Sequence, residues 1–272
     1  MTILPAKGGE NLSLQFIIGS SGIGKTHYAC EHIIRESLEN PQSLYYIIVP
    51  EQFTMQTQKN VVEMHPGKGI LNIDVLSFQR LAYRVFEEVG GAQEVLLDDT
   101  GKSMVLQKLV QQHKKELPYL GSQMNKPGYL DEVKSLISEF IQYDIREEEL
   151  LDLVGKTEQD SLLHMKMQDV GVLYQAFLQY LEGHYMTGEG VMDALKKAVP
   201  FSGKLKNSVL LLDGFTGFTP VQMNVIRELL HVCSKVLVTV TLDARENPLQ
   251  LGKPHQLFYM SRKMIHTLSG LT

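Results

Sequence analysis

Five stretches of the chain are dense in aliphatic and β-branched residues, and between them the apolar positions recur at helical spacing. The dense stretches lie at 14–18, 44–49, 70–76, 209–212 and 236–242, and they predict strands, the run 44–49 reading as a strand buried on both faces of a parallel sheet. Residues 27–39 predict a helix with Tyr28, Ile33, Ile34 and Leu38 roughly on one face, stopped by Asn40 and Pro41. Residues 51–64 read as a loop passing into a short helix, residues 81–89 as a helix ended by Gly90 and Gly91, and residues 221–231 as a helix opened by Pro220. From 98 to 199 the helical period persists almost without a β-run, with helices expected at 101–117, 130–143, 147–154 and 162–183. The pattern therefore predicts an α/β protein whose parallel-sheet core, residues 1–97 and 200–272, is interrupted by an all-helical insertion over 98–199.

Composition narrows this picture only a little. A chain of 272 residues can bury a full α/β core. A formal charge of -5 argues against nucleic-acid binding through a generally basic surface and leaves room for a local basic groove. Lys102, Lys108, Lys114 and Lys115 on the first insertion helix read as a solvated face in preference to a DNA track. The two cysteines, Cys30 and Cys233, are far apart in apolar surroundings, which excludes a disulfide framework or a four-thiolate metal site and fits a reducing, cytoplasmic setting. No secretory leader is visible at the start, and no window reaches the roughly eighteen apolar residues that a spanning helix needs. Residues 264–272 end without a polar tail or capping signal, from which the chain is expected to be part of something longer.

The candidate chemistry is concentrated after the first strand. Gly19, Ser20, Ser21, Gly22, Ile23, Gly24, Lys25 and Thr26 form G-x-x-x-x-G-K-T, the phosphate-binding P-loop signature. Glycines let such a turn close with its backbone N–H groups pointing inward, and the following helix adds its positive end. Lys25 is placed to neutralise the β and γ phosphates of ATP, and the Thr26 hydroxyl to ligate Mg²⁺. A partner carboxylate is expected at the end of an apolar strand beside the P-loop strand. Asp213, after Val209, Leu210, Leu211 and Leu212, fits that role; the alternative is a solvated aspartate at a strand end. The next residue is Gly214, where a hydrolytic helicase has a glutamate to activate water. Glu51 is a displaced substitute or simply a surface glutamate after Pro50.

Two further segments leave strand ends on the same expected edge. Phe53 either stacks on a base or packs under the following helix, while Gln52 and Thr54 flank it. Ser77, Phe78, Gln79 and Arg80 follow the third strand; Arg80 suits a phosphate, and Phe78 is either a contact or part of the core.

Taken together, GSSGIGKT, IIVPEQFTMQTQ, VLSFQRLAYRVFEEVGG and VLLLDGFTGFTPVQ resemble, in order and over most of the chain, the N-terminal region of the B component of AddAB-type ATP-dependent helicase/deoxyribonucleases, relatives of the UvrD-like superfamily 1 helicases. The resemblance implies a RecA-like P-loop core with a degenerate motor site that binds ATP and Mg²⁺ with weak or no hydrolysis. It implies single-stranded DNA contact at Gln52, Phe53, Thr54, Ser77, Phe78 and Arg80, with metal held by Thr26 and Asp213. It further implies a heterodimer with an A-type helicase/nuclease subunit in the bacterial cytoplasm, acting in double-strand-break repair and recombination. A second nuclease domain and an iron–sulfur cluster are expected only in the family's C-terminal part, since Cys30 and Cys233 cannot build the cluster here. Two other functions compete: a non-hydrolysing scaffold for the partner motor, and a small-substrate P-loop kinase using residues 98–199 as a lid.

Overall fold

The structure is a computed structural model that describes residues 2–5, 14–90, 94–124, 126, 128–159, 161–243 and 245–271. The chain divides into two compact units, Met1–Gly91 with Met192–Thr272, and Ala92–Val191. The first unit begins with strands β1 (Thr2–Pro5) and β2 (Leu14–Gly19), helix α1 (Lys25–Glu39) and strand β3 (Tyr45–Ile48). A 3₁₀ turn, Glu51–Phe53, then leads into α2 (Thr54–Met64), β4 (Ile73–Leu76) and α3 (Phe78–Val89). In the second unit follow β5 (Val95–Leu97), α4 (Asp99–Gln112), α5 (Leu120–Gln123), α6 (Tyr129–Gln142), α7 (Glu147–Gly155), α8 (Leu162–Leu181) and β6 (Tyr185–Thr187). Helix α9 (Gly190–Ala198) brings the chain back to the first unit, which ends with β7 (Val209–Leu212), α10 (Pro220–Val232), β8 (Lys235–Thr241) and α11 (Tyr259–Ser269).

Six strands form one sheet in the order β1, β2, β8, β7, β3, β4. β1 runs antiparallel to β2, an edge pairing outside the sequence-derived elements, and the other pairings are parallel. Every residue of β3 and of β7 is buried, as continuous apolar runs require when helices cover both faces. One side of the core joins Ile17, Ile47, Leu211 and Leu237 of the sheet to Ile33 of α1 and Val61 of α2. Full burial of each such side chain contributes roughly 1.5–3 kcal/mol.

Strand adjacency corrects one expectation. β7, which ends before Asp213, does not lie beside the strand of the glycine-rich loop, because β8 pairs with both and separates them. Parallel registry still brings Gly19, Val49, Ser77, Asp213 and Leu242 out along one edge. A second correction concerns residues 77–80, read from sequence as a lead-in to a helix at 81. Ser77 is the N-cap, its Oγ accepting from the Arg80 N–H at 3.3 Å, so Phe78, Gln79 and Arg80 form the first helical turn.

The second unit is built on α4, α6 and α8, whose Leu106, Leu109, Ile137, Leu173 and Phe177 make a common core. It is not all helical, since β5 and β6 pair in parallel from Val95↔Tyr185 to Leu97↔Thr187. Lys102 does not lie on a solvated face either. It is 6% exposed and its Nζ donates to both carboxylate oxygens of Glu189 at 3.0 Å and to Ser138 Oγ at 3.2 Å. Lys108 covers the Tyr180 ring, its Nζ 4.8 Å from the centroid. Among the described residues no helix is long and apolar enough to cross a membrane.

Candidate functional site

The turn from β2 into α1 depends on its glycines. Gly22 and Gly24 hold φ of 74° and 88°, the left-handed region that glycine enters without steric cost. At Gly19 the restriction is packing, because a Cβ there would meet Ile23 Cγ2 at 2.9 Å. Gly24 precedes the first turn of α1, which has no acidic side chain to occupy its free N–H groups. Lys25 Nζ donates to the Ser20 carbonyl at 2.9 Å, closing the loop on itself. Burial lowers the Lys25 pKa below its ordinary value, and the facing Asp213 carboxylate offsets part of that shift.

Asp213 is buried, and two hydroxyls hold its carboxylate. Thr26 Oγ1 donates to Asp213 Oδ1 at 3.2 Å across 187 residues of sequence. Thr239, on the intervening strand β8, donates its hydroxyl to the same oxygen at 2.6 Å and accepts from the Gly214 N–H at 3.4 Å. A threonine hydroxyl and a carboxylate are hard oxygen donors, the set that Mg²⁺ prefers, and the N–H groups at the start of α1 and Lys25 beside them suit phosphate oxygens. These residues therefore fit a magnesium nucleotide. Thr239 is invisible in the sequence, where it is an ordinary β-branched strand residue in Val-Leu-Val-Thr-Val-Thr.

The loop opens on a cleft of about 600 Å³ whose walls include Gly22, Gly24, Lys25, Thr26 and His27, with Thr57, Asn60 and Glu63 of α2 opposite. That volume falls in the range of small-molecule sites. Gly214, next to Asp213, holds φ of 78°, so this position carries neither a side-chain carboxylate nor a backbone suited to one. Glu51 stands elsewhere on the edge, ion-paired with Arg80 at 3.2 Å between Oε1 and Nε.

That ion pair joins the two remaining segments. Gln52 is exposed, Phe53 is 49% exposed, and Arg80 is exposed. Thr54, Ser77 and Phe78 are buried. Thr54 Oγ1 donates to the Glu51 carbonyl at 2.9 Å, and Ser77 caps α3. The Phe78 ring meets Phe215 at 5.6 Å and Phe218 at 6.3 Å between centroids, while those two half-buried rings lie 5.0 Å apart. The second aromatic pair comes from the loop after Asp213, which stands out in the sequence only for its glycine.

A family model described as ADDB, N-terminal, matches residues 16–272. The chain is 43% identical over 261 residues to the B-type subunit of the ATP-dependent helicase/deoxyribonuclease of Lachnoclostridium phytofermentans, covering 96% of this chain and 23% of that protein. The proteins of the same name from Alkaliphilus metalliredigens and Geobacillus thermodenitrificans are each 33% identical, over 93% and 96% of this chain and 22% and 23% of their own lengths. The chain thus spans less than a quarter of the length of these relatives.

Proposed function

Because the chain belongs to the ADDB N-terminal family, we propose that it is the helicase-like part of one component of an ATP-dependent helicase/deoxyribonuclease and works as a RecA-like P-loop module that binds ATP·Mg²⁺ and single-stranded DNA. The observation that carries the nucleotide half is the contact between Thr26 and Asp213, which joins the glycine-rich loop to an acidic strand end. In this reading the N–H groups of residues 19–26 bind phosphate oxygens, Lys25 neutralises their charge, and Thr26 with Asp213 holds the metal. Bound Mg²⁺ supplies charge neutralisation at the β and γ phosphates. Thr239 keeps the Asp213 carboxylate oriented through the strand between them. Turnover is weak or nil, since Gly214 offers no side chain to orient or deprotonate water.

DNA would cross the same sheet edge. Gln52 and Arg80 provide polar and cationic contacts, while Phe53 and the half-buried Phe215 and Phe218 rings provide stacking surface. Thr54, Ser77 and Phe78, proposed with them as a DNA-binding set, act by shaping that surface from beneath. The work of such a module belongs in double-strand-break repair and recombination, in a heterodimer with an A-type helicase/nuclease subunit.

Calorimetry of ATP·Mg²⁺ binding to the chain and to Lys25→Ala tests the nucleotide half. Loss of a charged hydrogen bond worth about 1.5–3 kcal/mol should weaken binding roughly ten- to a hundredfold, with negligible ATPase activity with or without DNA. Absence of binding in both proteins would remove the nucleotide site and leave a scaffold. Anisotropy of labelled single-stranded DNA at low salt tests the other half, and no binding there would remove it.

A further inference from the structure

The second unit carries a groove that the nucleotide and DNA proposals do not use. Its volume is about 370 Å³, and it runs between α7 and α8 with the turn after α4 at one end. Helix α7 contributes Leu150, Leu151 and Val154, and α8 contributes Met167, Gly171 and Val172. Val154 follows Leu150 by four residues and Leu151 by three, and Gly171 follows Met167 by four, so each set lies along one side of its helix. Leu150 and Val154 are buried, whereas Leu151 is 62% exposed. Gly171 deepens the groove, since a Cβ there would approach Leu150 Cδ2 only to 3.8 Å.

The charged residues around this apolar floor are of one sign. Glu116, Glu147 and Asp169 line the groove, and among the described residues no lysine or arginine does. Asp169 is 1% exposed; its Oδ2 accepts the Tyr119 and Leu120 N–H groups at 2.9 and 2.7 Å, while its Oδ1 accepts no hydrogen bond from the described residues. An apolar floor, an exposed leucine and an acidic wall together specify their complement.

We propose that the groove between α7 and α8 is a docking site for a cationic amphipathic helix of a partner protein, its apolar face against Leu150, Leu151 and Val172 and its lysines or arginines against Glu116 and Glu147. This surface is separate from the nucleotide reading and stands whether or not ATP binds.

The probe is a designed helical peptide of about fifteen residues, with leucines at i, i+3, i+4 and i+7 flanked by lysines, compared with the same peptide carrying glutamates. Fluorescence anisotropy against the full chain should show the lysine peptide binding about tenfold or more tightly than the glutamate peptide, the difference shrinking with salt. Leu151→Glu, at an exposed position that leaves the fold intact, should abolish binding, and Glu116→Lys with Glu147→Lys should reverse the preference. Equal binding of both peptides, binding of neither, or insensitivity to these substitutions would overturn the proposal. Sedimentation of the unliganded chain supplies another decision: concentration-dependent self-association that Leu151→Glu removes would assign the groove to a second copy and overturn it equally.

Discussion

Replacing Thr239 by valine keeps the shape and β-branching of a buried strand residue and removes one hydroxyl. That hydroxyl donates to Asp213 Oδ1 at 2.6 Å and accepts the Gly214 N–H at 3.4 Å, so the variant leaves a buried carboxylate short of a donor. Hydrogen bonds to charged groups contribute about 1.5–3 kcal/mol, and the unsatisfied partner makes the upper part of that range appropriate. In a unit of this size each kcal/mol moves the melting midpoint by about 2–4 °C, so Thr239→Val should melt several degrees lower without ligand. If Asp213 holds Mg²⁺, its orientation is lost as well, and the Mg²⁺ concentration needed for half-maximal ATP binding should rise about tenfold or more. Titrating Mg²⁺ at fixed ATP by calorimetry reads this directly. Thr239→Ser, which restores the hydroxyl, should recover the Mg²⁺ dependence even if some stability stays lost. Wild-type Mg²⁺ dependence in the valine variant would refute the reasoning and reduce Thr239 to a packing residue.

Other outcomes follow from single features. Gly214→Glu should not create DNA-stimulated hydrolysis, because φ of 78° strains any side-chain-bearing residue there; robust ATPase activity would contradict this. Arg80→Ala should weaken single-stranded DNA binding and reduce the salt slope by about one, whereas Glu51→Ala, which frees Arg80 from its ion pair, should strengthen binding; anisotropy across a salt series distinguishes them. Lys102→Met leaves Glu189 buried without its cation and should destabilise the second unit by about 3–5 kcal/mol in denaturant titrations, less when Glu189→Met is added. Burial alone would raise the Glu189 carboxyl, but the Lys102 hydrogen bond and charge hold it below its ordinary value of 4.5. A depressed folded pKa gives stability that is present above the unfolded value and lost as pH falls through the folded one. The melting midpoint should therefore drop below about pH 4.5, and Glu189→Gln should flatten that acid limb.

What is legible in the sequence is what local chemistry dictates. β3 and β7 can be read because a run such as Tyr-Tyr-Ile-Ile or Val-Leu-Leu-Leu has one good home, a strand covered on both faces. The glycine-rich loop can be read because its positive φ values demand the residues that spell it. β1 escapes because four edge residues gain their structure from a register with β2, which no local pattern encodes. Phe78 stays open between contact and core in the sequence because a ring at a helix start looks the same whether it faces water or Phe215; tertiary packing puts it inside. Lys102 misleads for the same reason, since the partner that lets it be buried, Glu189, is 87 residues away.

The order of strands in the sheet also sets a timetable. β8 and β7 lie between β2 and β3, yet they follow the sheet's other described strands in sequence, and β7 begins 133 residues after β4 ends. At about 5–20 residues per second, a nascent chain waits on the order of ten seconds between making β4 and making the strand that links its two halves. During that interval β2 has β1 for a neighbour and β3 has β4, but each exposes an apolar inner edge. The helices of residues 92–191, rich in local contacts, can settle first. The edge that carries the candidate nucleotide site is thus completed only once β7 and β8 emerge, and a chain released before Thr241 would present two sticky half-sheets in place of a site.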